Sequence, residues 1–149
     1  MNTMDLNTPL SAIMTTDLII VRPADTLKTA ADAFRKNNIH HLPVVDEQGK
    51  LAGIFSKSDF LRVGNTWNAF QRKNDMPETV GAFNEKVSIG QVMTRDPVKL
   101  SPADTISTAV GIFRENLFHS IPIVEKDTLV GMVTTFDLLK FAFQESGIG

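Results

Sequence analysis

An internal repeat is the sequence feature that most limits how this chain of 149 residues can fold. Met14–Gln48 aligns without a gap on Met93–Asp127, and fifteen of the 35 aligned pairs are identical. After one extra residue in the first copy, Gly49, the similarity resumes at Leu51–Leu61 and Leu129–Leu139. One copy of about 50 residues is close to the lower size limit for folding alone. We therefore predict two half-domains that share one core, with two similar surfaces and a cleft between them.

The composition is that of an ordinary globular domain and excludes several classes of function. Hydrophobic residues make up 42% and charged residues 21% of the chain, which has no cysteine and a formal net charge of −2. Disulfides, thiol catalysis and zinc–thiolate sites are therefore excluded, and the basic patch typical of nucleic-acid binding is absent. No apolar run approaches 18 residues, and the first ten residues do not resemble a signal peptide. We expect a cytoplasmic protein that does not associate with membranes.

Both copies predict the same order of elements, β-α-β-β-α, so the expected fold class is mixed α and β. In the first copy a short apolar strand at Leu18–Val21 ends before Pro23, and Asp25 or Thr26 can cap the helix that follows. This helix and its equivalent in the second copy each carry one apolar stripe. The stripes consist of Leu27, Ala30, Ala31 and Phe34 in the first copy, and of Ile106, Ala109, Val110 and Phe113 in the second.

A hairpin and a second helix complete each copy. The strands of the hairpins are predicted at Leu42–Val45 with Leu51–Phe55, and at Ile121–Val124 with Leu129–Val133. The helices that follow them are predicted to begin at Ser56 and Thr134.

The segment between the copies, residues 62–88, has no counterpart elsewhere in the chain. Arg62–Asn74 is predicted to continue the preceding helix, and Asp75–Val87 to form a loop. The loop suits a surface excursion or a dimer contact. The aromatic residues of the segment can contribute to such a contact or to ordinary packing. They are Trp67, Phe70 and Phe83.

Each copy ends in a motif of glycine, two apolar residues, serine or threonine, two variable residues and aspartate. The motifs are Gly53–Asp59 and Gly131–Asp137. The N–H groups at a helix start attract phosphate, and a carboxylate can accept hydrogen bonds from both hydroxyls of a ribose. The same spacing of hydroxyl and carboxylate also fits a capping box. Nucleotide binding and helix capping therefore both stay open.

Other candidate sites have less support from the sequence. His40, His41 and His119 have no identifiable carboxylate or imidazole neighbours, so no metal site is predicted. A nucleophile-elbow motif is absent, as are the glycine patterns of Walker and Rossmann sites. No catalytic residue and no catalytic cofactor are predicted.

Four motifs, in the same order in both copies, resemble the cystathionine-β-synthase (CBS) domain pair, also called a Bateman module. They are Met-Thr at Met14 and Met93, Pro-Ala-Asp-Thr at Pro23 and Pro102, His-x-(Leu/Ile)-Pro at His40 and His119, and the two Gly-to-Asp motifs. The resemblance implies one stand-alone module over residues 1–149, with repeats at 10–61 and 89–140. It also implies that the repeats pack by their sheets about a pseudo-twofold axis.

The resemblance further implies that adenosine-containing ligands bind in two clefts. In this family the motif aspartate holds the ribose, the serine or threonine reaches phosphate, and the adenine lies against the opening strand and the His-x-(Leu/Ile)-Pro segment. By position, one cleft is expected to use Ser56, Ser58, Asp59, Thr94, Val98, His119, Ser120 and Ile121. The other is expected to use Thr134, Thr135, Asp137, Thr16, Ile20, His40, His41 and Leu42.

The two motifs differ in residues that a ligand would meet. Lys57 and Ser58 offer a charge and a hydroxyl to a phosphate, whereas Phe136 stands at the position of Ser58 in the second motif. We therefore expect unequal clefts, with the Asp59 cleft favouring a phosphorylated ligand.

The expected function is that of a non-catalytic regulatory module, a ligand sensor. The resemblance implies a ligand of the AMP, ADP, ATP or S-adenosylmethionine class, a homodimer, and signalling by conformational shift to a protein partner in trans. A structural or protein-interaction module with vestigial clefts is one alternative, and an enzyme with an unrecognised site is another.

Overall fold

The computed structural model describes residues 5–74, 84–116 and 119–145, with side chains over 5–65, 84–116 and 119–144. Its helices are α1 (Leu27–Asn37), α2 (Lys57–Asn74), α3 (Ile89–Val92), α4 (Ile106–Asn116) and α5 (Thr135–Glu145). Its strands are β1 (His41–Val45), β2 (Leu51–Ser56), β3 (Thr94–Arg95), β4 (Ser120–Glu125) and β5 (Thr128–Thr134). The mixed α and β fold class, with two copies of one arrangement, is confirmed. No helix within the described ranges combines the length and the apolar character needed to cross a membrane.

Each copy contains the predicted antiparallel hairpin. β1 pairs with β2, with His41 opposite Ser56, and β4 pairs with β5, with Ser120 opposite Thr134. β3 adds a third strand to the first hairpin, on the free side of β2. The hairpins therefore end at equivalent residues, and each leads directly into a helix.

The extra residue of the first copy lies in its hairpin turn. Gly49 has a φ of 85°, a left-handed conformation that glycine adopts without steric cost. The second copy makes a shorter turn, in which Lys126 and Asp127 have φ values of 50° and 68°. The insertion changes the turn and leaves the strand ends equivalent in the two copies.

The strand predicted at Leu18–Val21 is wrong except at its last residue. Val21 makes a parallel bridge to Val44, with its N–H donating to the carbonyl of Pro43 at 3.1 Å. The pairing stops there because the carboxylate of Asp25 accepts from the N–H of Arg22 at 2.8 Å, and the next residue is a proline. The second copy repeats the single bridge, between Leu100 and Ile123.

The hydrogen bond between Arg22 and Asp25 lies just before the start of α1. Thr26 is the N-cap residue, but its side chain makes no capping hydrogen bond. Asp25, the other predicted cap, instead closes the turn that precedes the helix through the N–H of Arg22. The predicted start of the helix is confirmed, whereas the predicted side-chain cap is wrong.

The segment between the copies is described in part. The helix predicted over Arg62–Asn74 is confirmed as the continuation of α2. Of the predicted loop Asp75–Val87, residues 75–83 lie outside the described residues, and residues 84–86 are helical. The side chains of Trp67, Phe70 and Phe83 also lie outside the described residues.

The chain divides into two compact units with separate cores, which differs from the predicted single core. Unit I is Ile19–Asp96, and unit II combines Met1–Leu18 with Pro97–Gly149. The core of unit I contains Val21, Leu27, Ala30, Phe34, Leu42, Val44, Phe55 and Ile89. The core of unit II contains Leu10, Ile106, Ala109, Phe113, Ile121, Ile123 and Val133. The apolar stripes of α1 and α4 thus face these cores, as predicted.

The opening segment of each copy, residues 10–16 and 89–95, belongs to the unit of the other copy. Leu10 and Ile89 occupy equivalent positions in the repeat, and both are fully buried, in units II and I respectively. The N–H of Ile89 donates to the carbonyl of Asp25 at 2.7 Å, and the N–H of Leu10 donates to that of Asp104 at 2.7 Å. A copy with the limits of the sequence repeat therefore lacks part of the core that its own helix and hairpin need.

Candidate functional site

The motif glycines allow these opening segments to lie against the ends of the hairpins. A Cβ added at Gly53 would lie 2.5 Å from the carbonyl oxygen of Thr94 and 2.8 Å from Sδ of Met93. A Cβ added at Gly131 would lie 2.7 Å from Sδ of Met14. The close approach that the glycines permit is thus one of protein backbone and a methionine side chain. Both methionines pack against the cores of their units.

Each motif closes as a reciprocal pair of hydrogen bonds at a helix start. The N–H of Asp59 donates to Oγ of Ser56 at 3.0 Å, and the N–H of Ser56 donates to Oδ2 of Asp59 at 3.1 Å. Thr134 and Asp137 repeat both bonds, at 3.0 and 2.9 Å. The capping-box interpretation is therefore confirmed in both copies. It leaves Oδ1 of each carboxylate to other partners, so capping and ligand binding are compatible.

Replacing Ser56 with alanine is expected to lower the free energy of unfolding by about 1 kcal/mol, because the N–H of Asp59 loses its acceptor. Denaturant unfolding measures this change. Ser107→Ala is the matched control, since Ser107 is an exposed residue of α4, and it should change the value by less than about 0.5 kcal/mol. Equal losses in the two variants would contradict the capping role.

The two carboxylates differ in the group that binds their remaining oxygen. Oδ1 of Asp59 forms an ion pair with Nη2 of Arg62 at 2.6 Å. Asp137 instead accepts from the hydroxyl of Thr15, which lies 3.1 Å from Oδ1 and 3.3 Å from Oδ2. One carboxylate is therefore held by a cation and the other by a neutral donor.

The backbone of the predicted histidine segments is part of the same helix starts. The N–H of Lys57 donates to the carbonyl of His40 at 2.8 Å, and the N–H of Thr135 donates to that of His119 at 3.1 Å. The residues His40 and His119 are exposed. Among the residues that the structure describes, no three histidine, aspartate or glutamate side chains lie close enough to hold a metal ion.

The structure divides the predicted site residues into two sets, one in each unit. Unit I holds Ser56, Ser58, Asp59 and Thr94, together with Ile20, His40, His41 and Leu42. Unit II holds Thr134, Thr135, Asp137 and Thr16, together with Val98, His119, Ser120 and Ile121. Each predicted cleft draws on both sets, so the convergence of its residues stays a prediction.

Within the units, the predicted residues differ in what they can offer a ligand. Leu42 and Ile121 are fully buried in the cores, so their backbone alone can reach a ligand. Ser120 is also buried. Ser58 is exposed in the first turn of α2, where a phosphate would benefit from the positive end of the helix dipole.

Two residues at the sites were not predicted from the sequence, Thr15 and Arg62. Arg62 was placed in the helix between the copies, although it follows Asp59 by three residues, a spacing at which helical side chains meet. Its equivalent in the second copy is Lys140, three residues after Asp137. Thr15 was missed by one position: the resemblance placed its neighbour Thr16 in the cleft of Asp137, and the structure brings the hydroxyl of Thr15 to that carboxylate.

Comparison with known proteins finds similarity along most of the chain. The sequence model of the CBS domain matches residues 10–65 and 89–143. The CBS domain-containing protein CBSX1, chloroplastic, from Arabidopsis thaliana is 28% identical over 146 residues. That alignment covers 86% of this chain and 60% of the relative, so the chain spans less than two thirds of that protein.

Two solved structures share the fold. The crystal structure of CBSX2 in complex with AMP has a TM-score of 0.75 at 24% identity, covering 91% of this chain and 96% of that one. The CBS domain pair of protein MJ0100, in complex with 5′-methylthioadenosine and S-adenosyl-L-methionine, has a TM-score of 0.68 at 25% identity. It covers 89% of this chain and 98% of its own.

Proposed function

Because this chain belongs to the CBS domain family, we propose that it is a regulatory module that binds an adenosine-containing ligand and has no catalytic activity of its own. The observation that carries the proposal is the pair of carboxylates at the starts of α2 and α5. In each, Oδ2 accepts from the backbone of the motif, which fixes the orientation of the group. The other oxygen is bound by a side chain that a ribose can replace.

The chemistry around each carboxylate suits a nucleoside. An ionised carboxylate accepts hydrogen bonds only, so both hydroxyls of a ribose can donate to it. The first turn of each helix favours a negative group through its partial positive charge. The AMP of CBSX2 and the methylthioadenosine and S-adenosylmethionine of the MJ0100 domain pair support an adenosine ligand of this kind.

Regulation then follows from differential affinity. A ligand that binds one arrangement of the units, or of a homodimer, more tightly than another shifts the population towards it. In this proposal the shift acts on a protein partner in trans.

A structural or protein-interaction module is the second candidate, and one observation favours it. Three apolar residues on α5 are exposed at 68%, 55% and 50%, namely Phe136, Leu139 and Phe143. Exposed apolar side chains that lie close together often mark an interaction surface.

A thermal-shift screen with Asp137→Asn tests the ligand proposal. We expect at least one of adenosine, AMP, ADP, ATP, methylthioadenosine and S-adenosylmethionine to raise the melting temperature at millimolar concentration. A ligand at one hundred times its Kd stabilises the folded state by about 2.7 kcal/mol. Asp137→Asn should remove the contribution of its site, because an amide accepts through one oxygen only. Calorimetry should then find one site fewer than in the parent protein.

Asn suits position 137 because the amide oxygen can still accept from the N–H of Thr134, and the hydroxyl of Thr15 can accept from the new amide. The matched control is Asp127→Asn, an exposed carboxylate in a hairpin turn of the same unit, which should keep both sites. Absence of binding and of any melting shift across the whole panel would reject the ligand proposal and leave the interaction module.

A further inference from the structure

Both oxygens of Asp59 are occupied in the structure. Oδ2 accepts from the backbone of Ser56 at 3.1 Å, and Oδ1 lies 2.6 Å from Nη2 of Arg62. The carboxylate is largely buried, with 13% of its side chain exposed, whereas the Arg62 side chain is 70% exposed. A ribose that binds Oδ1 therefore competes with the guanidinium of Arg62 for this oxygen.

In unit II, displacing the side chain that binds the carboxylate has a different cost. The group beside Asp137 is the hydroxyl of Thr15, an exposed residue, and a hydroxyl can donate to water instead. Both bonds involve an ionised carboxylate, but only the bond from Arg62 joins two opposite charges. Losing Arg62 from Asp59 therefore also separates an ion pair, unless the ligand offers Arg62 another anion, whereas losing Thr15 from Asp137 does not.

We propose that Arg62 is the residue that makes the unit I site select phosphorylated adenosines over uncharged ones. This inference rests on the proposed function. The ribose takes the place of the guanidinium on Asp59, and the guanidinium moves to the ligand phosphate. A phosphate compensates Arg62 for the lost carboxylate, and an uncharged nucleoside does not. The unit II site, with Thr15 on its carboxylate, makes no such selection.

The position of Arg62 on α2 favours this exchange of partners. Helical side chains lean towards the N-terminus of their helix, and the bond to Asp59 brings the guanidinium to the first turn. A phosphate carried by a ribose on Asp59 would lie near the same turn, where the helix dipole attracts it. Lys57, exposed in that turn, adds a second cation, and its counterpart in unit II is Thr135.

The test compares adenosine with AMP at the unit I site by calorimetry, in the Asp137→Asn background so that the other site is silent. We expect AMP to bind about tenfold or more tightly than adenosine, because only AMP gives Arg62 a new anionic partner. Arg62→Gln should weaken AMP binding and strengthen adenosine binding, because glutamine lacks the charge that attracts phosphate and competes less strongly for Asp59. Arg62→Lys, which keeps the charge, should retain most of the preference for AMP.

Arg35→Gln is the matched control. Arg35 pairs with Asp32 at 2.7 Å, three residues apart on α1 of the same unit, so its loss removes an ion pair of the same spacing whose carboxylate is more exposed. It should leave both affinities unchanged. A change in the same direction and by the same factor for both ligands in Arg62→Gln would show that Arg62 supports the helix and does not select. Binding of neither ligand to the Asp137→Asn protein or to the parent would reject the proposed function as well.

Discussion

Alanine at Leu10 or Ile89 is expected to lower the free energy of unfolding by about 2–5 kcal/mol, the usual range for a large apolar side chain removed from a core. Both residues are fully buried and lie at the first position of their copies. The loss reflects the apolar contacts removed and the cavity left behind. Denaturant unfolding gives its size.

Hydrogen exchange shows where the loss falls. Leu10→Ala should speed the exchange of amides in β4 and β5, because Leu10 belongs to the core of unit II. The amides of β1 and β2, in the first copy itself, should keep the rates of the parent. Ile89→Ala should give the opposite pattern.

A matched variant separates burial from the mere loss of a leucine. Leu6 is 46% exposed on the same N-terminal segment, so Leu6→Ala should change the free energy of unfolding by less than about 0.5 kcal/mol. Faster exchange in β1 and β2 after Leu10→Ala would mean that the opening segment packs on its own copy, contrary to the structure.

Alanine at Gly131 or Gly53 has the second large effect, a loss of about 1–3 kcal/mol or more. The new Cβ would lie 2.5 Å from backbone oxygen at Gly53, a contact that cannot be relieved by a side-chain rotation alone. The opening segment beside the motif must therefore move. At Gly53 this displaces Thr94, and at Gly131 it displaces Thr15. Denaturant unfolding and the melting temperature both report this change.

The same substitution at Gly111 should have the opposite sign. A Cβ added there meets nothing within 4 Å among the described residues, and Gly111 lies inside α4. Gly111→Ala should therefore raise the free energy of unfolding by about 0.5–1 kcal/mol, because glycine weakens a helix interior relative to alanine. A loss at Gly111 comparable to that at Gly131 would indicate a general intolerance to alanine rather than a steric clash.

The sequence predicted the helices and hairpins because their signals are local. The stripes of α1 and α4 follow helical spacing, and the hairpins follow from apolar runs separated by turn residues. The strand at Leu18–Val21 was predicted from an apolar run, but apolar residues alone do not specify pairing, and Val21 alone makes a bridge, to Val44. The division into units could not be predicted, since Leu10 and Ile89 are apolar residues that fit either core equally well by type.

The candidate sites were predicted to the level of the motif and no further. Ser56 with Asp59, and Thr134 with Asp137, lie together as their spacing indicates. The side chain that binds the other oxygen of each carboxylate was not predicted. Thr15 reaches Asp137 through tertiary packing, and Arg62 reaches Asp59 through one side-chain conformation. A repeat cannot reveal either, because equivalent positions in the two copies carry different partners.

The crossing of the opening segments has a consequence for how such a chain can arise. A polypeptide with a single copy would have a hairpin and a helix whose core is open where Leu10 or Ile89 belongs. Two such polypeptides could complete each other by domain swapping, and their stability would then fall on dilution. Joining the copies makes this mutual completion intramolecular and independent of protein concentration. The two copies can then differ in sequence and still complete each other's cores. Arg62 and Lys140, at equivalent positions, are one such difference.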